Sequence, residues 1–327
     1  MVAGAGRSDP DPPSGRGTVS GTDVPGAPGR DAGPRVVAVG GGHGLAATLR
    51  AVRGYAGAVT AVVSVADDGG STGRLRAAGD RPAPGDLRKC LVALAGGDSP
   101  LLRAMEHRFD AGELDGHAFG NLLIAALEDS EGDLVAALDE VGRLLGAVGR
   151  VLPTTTLPVQ LRAVVGSGAE IRGQVAVARQ PDLELVTVDP PDAPVCPPAL
   201  EAILAADQIV LGPGSLYTSV LAATAVPGIT EGLAATSARL VYVCNLRPQA
   251  SETAGYGVAE HLEALDRHGI RPSVVVYDPE TIGEPDRPVD AELCPAVLCE
   301  PGGGAHRPDL LGPVLAGLAE AADWRAP

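Results

Sequence analysis

The chain has 327 residues, 45% of them hydrophobic but only 2% aromatic, and a formal net charge of −16. It is long enough to bury one large or two ordinary aliphatic cores, and so acidic a surface repels nucleic-acid backbones and anionic membranes, which argues against both as partners. Five widely spaced cysteines without a CxxC pair exclude a disulfide framework and a structural zinc, and fit reduced thiols packed as small apolar residues. No stretch reaches the roughly 18 apolar residues that span a bilayer, and the first residues lack the apolar run of a signal peptide, so a cytoplasmic protein with no membrane insertion is expected.

Residues 1–34 are rich in Gly, Pro, Ser and Asp and poor in large apolar side chains. Ordering them costs entropy with little burial in return, which predicts a disordered tail before one domain over residues 35–327. RVVAV (35–39) is a continuous β-branched run that ends at glycines, the pattern of a strand buried on both faces. A helix is expected over about 45–52, and VTAVVSVA (59–66) repeats the strand pattern. Helices follow at about 86–94, at 100–109, and in GNLLIAALED and GDLVAALDEVGRLLG. Around residues 155–190 short apolar runs alternate with turn residues, which predicts a small antiparallel insertion in which LRAVV and QVAVA pair across GSGAEIRG. Strand and helix patterns then alternate again, with strands at 208–212, 239–245 and 273–278 and helices in ALEAILAA, SLYTSVLAA and GVAEHLEALDRHG. Such alternation gives a Rossmann-like α/β fold, a doubly wound and mostly parallel sheet.

Four of the six chemistry-bearing motifs fall at the carboxyl ends of predicted parallel strands, which puts them on one rim of one sheet. In VVAVGGGHGL, Gly41, Gly42 and Gly44 flank His43 between a strand and a helix. Missing Cβ atoms admit close approach to a ligand, and the helix N-terminus offers amides to an anion. In SVADDGGSTGRLR, Asp67 and Asp68 are suited to a ribose hydroxyl or to Mg²⁺, Gly69 belongs to a potential backbone nest, and Arg74 can meet phosphate oxygens. A solvated acidic turn is the bland alternative. In PGDLRKCL, Asp86 can cap the helix it opens, and Arg88 and Lys89 are the basic pair nearest the glycine turns. In GHAFGNLL, His117 and Asn121 share a helix face. In VLGPGSLYTS, Gly212, Gly214 and Ser215 repeat the anion-cradle logic, and Asn245, Gln249 and Glu252 follow the next strand. There is no GxSxG and no Walker motif. An acid 23 residues past Gly44 leaves a dinucleotide-dependent oxidoreductase as a minor reading.

The set VGGGHGL, SVADDGGSTGRLR, PGDLRKCLVALA, GHAFGNLLIAAL, ADQIVLGPGSLYTSV and YVCNLRPQASET, from about Arg35 to Asp278, resembles the bacterial YvcK-type gluconeogenesis factors. These belong with the 2-phospho-L-lactate transferases in a CofD-like superfamily. The resemblance implies a protein that binds a UDP-sugar, UDP-N-acetylglucosamine, supports cell shape and wall synthesis during gluconeogenic growth, requires no cofactor and has no established catalysis. A homo-oligomer is expected. The alternative left open is a Mg²⁺-dependent transferase using a nucleotide-activated donor, with Asp67 and Asp68 as the metal ligands. The chain departs from the family at His43, where Thr is usual, and at Arg247 and Pro248, where Met and Thr are usual.

Overall fold

The computed structural model describes residues 33–78 and 81–320 together with Met1, so the tail expected over residues 1–34 lies almost wholly outside the described residues. The chain starts with β1 (Arg35–Gly40), α1 (Gly42–Val52) and β2 (Ala58–Val63). Five helices follow: α2 (Gly70–Ala78), α3 (Pro84–Leu94), α4 (Pro100–Glu106), α5 (Phe119–Glu131) and α6 (Leu134–Leu145). After β3 (Arg150–Pro153) come β4 (Gln160–Val165), β5 (Glu170–Arg172), α7 (Gln174–Val177), β6 (Leu183–Asp189) and α8 (Pro197–Ala205). The last third comprises β7 (Gln208–Leu211), a π-helical turn at Leu216–Leu221 that runs into α9 (Ala222–Thr224), α10 (Pro227–Ala235), β8 (Arg239–Val243), α11 (Val258–Arg267), β9 (Val274–Tyr277), β10 (Glu292–Pro295) and α12 (Pro308–Glu320).

Seven strands form one sheet in the order β10-β9-β8-β7-β1-β2-β3, and every neighbouring pair is parallel. Parallel strands need crossovers that cover both faces, which is why the strands read as unbroken apolar runs. Val36, Val37, Ala38 and Val39 are all buried, and full burial of each Val contributes about 1.5–3 kcal/mol. Leu45, Leu49 and Val52 of α1 and Leu87, Leu91 and Leu94 of α3 close one side of the core. All five cysteines are free, four of them buried.

From β1 the chain winds through β2 to β3 in one direction. From β7 it winds through β8 and β9 to β10 in the other. The reversal falls between β1 and β7, and open α/β sheets leave a crevice at the carboxyl ends of strands at such a point. Val39 pairs with Leu211, so the turns beginning at Gly40 and Gly212 lie side by side on that rim.

The three-stranded sheet β5-β4-β6 is antiparallel, as expected for the insertion, but its strands differ. QVAVA does not pair. The strand is EIR, and Gln174–Val177 is helical. Two features break the strand: Gly173 takes φ +90°, and the Asp68 carboxylate accepts from the Val175 amide at 3.0 Å. An acid at first-turn amides favours a helical start over continued pairing. Helix α1 also begins earlier than its apolar pattern, at Gly42, so the glycine run is itself the first turn.

Candidate functional site

Two turns of the same form face each other across the switch point, and they differ in one respect. Helix α1 has Gly41 as its N-cap, with no side-chain cap. Its first amides, on Gly42, His43 and Gly44, have no partner within the helix, and these three residues line the crevice, which makes this helix end a candidate anion site. The helix after β7 is already occupied. Glu252 accepts from the Tyr217 amide at 3.2 Å, the Thr218 amide at 3.3 Å and the Thr218 hydroxyl at 2.5 Å. The Gly214 amide is also taken, by Asn245 Oδ1 at 3.2 Å. Of the two glycine turns read as anion cradles, the first is open and the second is filled by the protein's own groups.

The two turns touch because of Gly44. A Cβ there would lie 2.1 Å from the Pro213 carbonyl oxygen, so only glycine lets α1 rest on the β7 turn. The Thr48 hydroxyl then donates to the Gly212 carbonyl at 2.6 Å.

The crevice holds two adjoining pockets. The first, about 350 Å³, is mostly polar, with Asp67, Asp86, Lys89, Gln174, Thr218 and Ser219 on its wall. Lys89, the chain's single lysine, binds Asp86 at 2.8 Å. Burial raises the Asp67 carboxyl above the ordinary range against a hydrogen bond from the Gly69 amide, and the Asp86 charge adds to the rise. Two carboxylates in one polar cleft can hold a hard divalent cation with waters or phosphate oxygens completing the shell. Asp86 is thus a cleft residue at the start of α3.

The second pocket, about 280 Å³, is more apolar, with Ala47, Pro213, Leu246 and Ala305 beside His43, Asn245, Arg247 and His306. Ser215 and Gln249 belong to both pockets. Gln249 Nε2 donates to Ser215 Oγ at 2.8 Å, a partition one side chain thick. His306 Nε2 lies 3.1 Å from the Cys244 carbonyl oxygen. Burial pushes its imidazole down to about 4, so at neutral pH the ring is uncharged. Because a carbonyl only accepts, Nε2 carries the proton and Nδ1 is a bare acceptor.

Thus Gly42, His43, Gly44, Asp67, Asp86, Gly214, Ser215 and Asn245 line the crevice, while Gly41 and Gly212 shape its turns. Other expected residues sit elsewhere. Asp68 reaches Val175 and ties α7 over the first pocket, aided by Gln174 Nε2 to the Thr218 carbonyl at 3.1 Å and Ser251 Oγ to the Ala178 carbonyl at 2.6 Å. Asp67 and Asp68 therefore point to different partners. Gly69 turns the chain, its amide on Asp67 Oδ1 at 3.0 Å. Arg88 and Asn121 form a buried strut, Nε to Oδ1 at 3.1 Å, with Arg88 also on the Met105 carbonyl and Asn121 on Ser71. His117 lies 3.3 Å from the same Ser71 hydroxyl. Arg74 lies on α2 against Gly116. Sequence reasoning missed Gln174, Ser219 and His306. His306 follows the run Gly302–Gly304, a signal of the same kind as the first motif.

A family profile described as 2-phospho-L-lactate transferase CofD matches residues 36–291. The chain is 46% identical over 308 residues to a Mycobacterium tuberculosis protein named as a candidate gluconeogenesis factor, covering 86% of this chain and 90% of that one. It is 41% identical over 255 residues to a gluconeogenesis factor of Halalkalibacterium halodurans, covering 76% and 78% of the two chains. A crystal structure of a UPF0052 family member from Bacillus halodurans superposes with a TM-score of 0.80 at 34% identity, over 86% of this chain and 99% of that one. No helix among the described residues is long and apolar enough to cross a membrane.

Proposed function

The chain belongs to the CofD family, in its gluconeogenesis-factor branch, and from that membership we propose that it binds a UDP-sugar, UDP-N-acetylglucosamine. We assign it a regulatory role in the cytoplasm, coupling that ligand to wall synthesis and cell shape during gluconeogenic growth, as a homo-oligomer. The observation that carries this reading is the uncapped N-terminus of α1 at the switch point, between a polar pocket and a more apolar one. Such an arrangement suits a diphosphate between a hydroxyl-rich sugar and a base. Binding of this kind needs no cofactor. Calorimetry with UDP-N-acetylglucosamine at high protein concentration tests it: saturable heat is expected, and silence overturns it.

A second reading, Mg²⁺-dependent transfer from a nucleotide-activated donor, is favoured by one feature, the pair Asp67 and Asp86 in the first pocket. Those two carboxylates, rather than Asp67 with Asp68, would hold the ion, which would neutralise phosphate charge in an acidic cleft. Product formed from a panel of such donors with Mg²⁺, and lost in Asp86→Asn, would favour it over pure binding.

A further inference from the structure

The second pocket presents an ordered pair of hydrogen-bonding atoms. Asn245 gives its Oδ1 to the Gly214 amide, so its Nδ2 is left as a donor. His306 gives its Nε2 proton to the Cys244 carbonyl, so its Nδ1 is left as an acceptor, with no partner among the described residues. Cys244 and Asn245 are consecutive, so both side chains are fixed by the same turn at the end of β8. Ala47, Pro213, Leu246 and Ala305 supply apolar surface of the kind that packs on the face of a planar ring. A donor and an acceptor on the wall of one pocket can complement a carbonyl next to a ring N–H, the edge that uracil presents at O4 or O2 with N3–H and that guanine presents at O6 with N1–H. Adenine N1 and cytosine N3 carry no hydrogen, so those bases meet the pair only in the reversed sense, the amino group donating to His306 and the ring nitrogen accepting from Asn245. His306 also lies beyond the residues 36–291 that the family profile matches, so its role does not follow from membership.

We propose that His306 and Asn245 read the base of the bound nucleotide, His306 Nδ1 accepting the ring N–H and Asn245 Nδ2 donating to the adjacent carbonyl. This rests on the nucleotide reading of the site and adds to it which residues contact the base and in which sense. A histidine that must stay neutral and in one tautomer is a specificity device, because a buried acceptor left facing another acceptor costs binding, whereas a matched pair does not.

The test is calorimetry on the full chain with UDP, 3-methyl-UDP, GDP and 1-methyl-GDP. For the wild type, methylation of the ring nitrogen is expected to weaken binding on the order of tenfold, the value of one hydrogen bond. In His306→Phe, with folding checked by thermal melting, the difference between the methylated and unmethylated forms is expected to vanish. The wild-type comparison needs no variant, so it decides the matter even if His306→Phe folds poorly. Equal binding of methylated and unmethylated forms overturns the proposal and leaves the UDP-sugar reading intact. Binding of GDP but not UDP, with sensitivity to 1-methylation, overturns the uridine assignment and leaves the base-reading pair intact. No binding of any member, with UDP-N-acetylglucosamine silent as well, overturns both.

Discussion

The Glu252 carboxylate sits on the N-terminus of the helix that follows β7, 2.5 Å from the Thr218 hydroxyl and within reach of the Tyr217 and Thr218 amides. This internal anion accounts for the asymmetry between the two glycine-rich turns: one helix end is satisfied by the protein and the other is left for a ligand. Burial raises the Glu252 carboxyl, while these hydrogen bonds oppose that rise. Replacing the side chain by Ala leaves the amides unpaired, and a loss of about 2–3 kcal/mol is expected in denaturant unfolding. Glu252→Gln keeps an acceptor and should lose less. Sulfate should then raise the Tm of Glu252→Ala more than that of wild type, because the vacated helix end becomes a second anion site. Equal shifts in the two proteins would contradict this account.

Gly44→Ala places a methyl group 2.1 Å from the Pro213 carbonyl oxygen. Backbone cannot yield there without parting α1 from the β7 turn, so destabilisation of about 1–3 kcal/mol is expected, together with loss of nucleotide binding. Gly54→Ala is the control. Its Cβ meets only the Ala51 carbonyl oxygen, at an ordinary 3.5 Å, and a change within about 1 kcal/mol is expected. Denaturant unfolding and calorimetry on the two variants check both halves.

The parallel sheet and its rim were legible because buried parallel strands and glycine turns leave local signatures: Val36–Val39 and Ile209–Leu211 have no polar residue to suggest any other state. The edge strands were not. Glu292–Pro295 is four residues long and largely exposed, too short to show a period. QVAVA has the composition of a strand, and what makes it a helix is Asp68, 107 residues away from Val175. The same limit applies within the site. Arg88 and Asn121 carry the residue types of a phosphate site, but their partners are each other and the Met105 carbonyl, contacts that no spacing encodes. His306 enters the site from the far end of the chain, past the last of the motifs.

Asp68→Ala tests whether the α7 segment is held as a cover. The segment has three anchors on the rim, the Asp68 carboxylate, the Thr218 carbonyl and the Ser251 hydroxyl. Removing one anchor at a half-buried position should leave global stability nearly unchanged, because few apolar contacts are lost, while amide exchange at Gln174–Ala178 rises on the order of tenfold. Hydrogen exchange resolved by mass spectrometry reads this directly. Unchanged protection over that segment would show that the small sheet alone holds it.

Asp67→Asn should make the protein more stable while it weakens any cation-assisted binding. The sign follows from the direction of the shift. Burial raises the Asp67 carboxyl, and the negative charge of Asp86 raises it further, so the folded state holds this proton more tightly than the unfolded chain does. Stability from the protonated form is complete below the ordinary carboxylate range and is lost as pH rises through the folded value. At neutral pH the ionised Asp67 is therefore a cost to folding, one the site bears for the sake of its charge. Asparagine removes that cost and still offers an oxygen to the Gly69 amide, which Asp67 binds at 3.0 Å. The Tm of Asp67→Asn should exceed that of wild type near pH 7, and the two should converge as pH falls below about 4, where the native carboxyl is protonated. If Mg²⁺ assists nucleotide binding, the enhancement should be lost in the same variant. A variant less stable than wild type at pH 7, with a gap that persists in acid, would mean that Asp67 is held for structure rather than for the ligand.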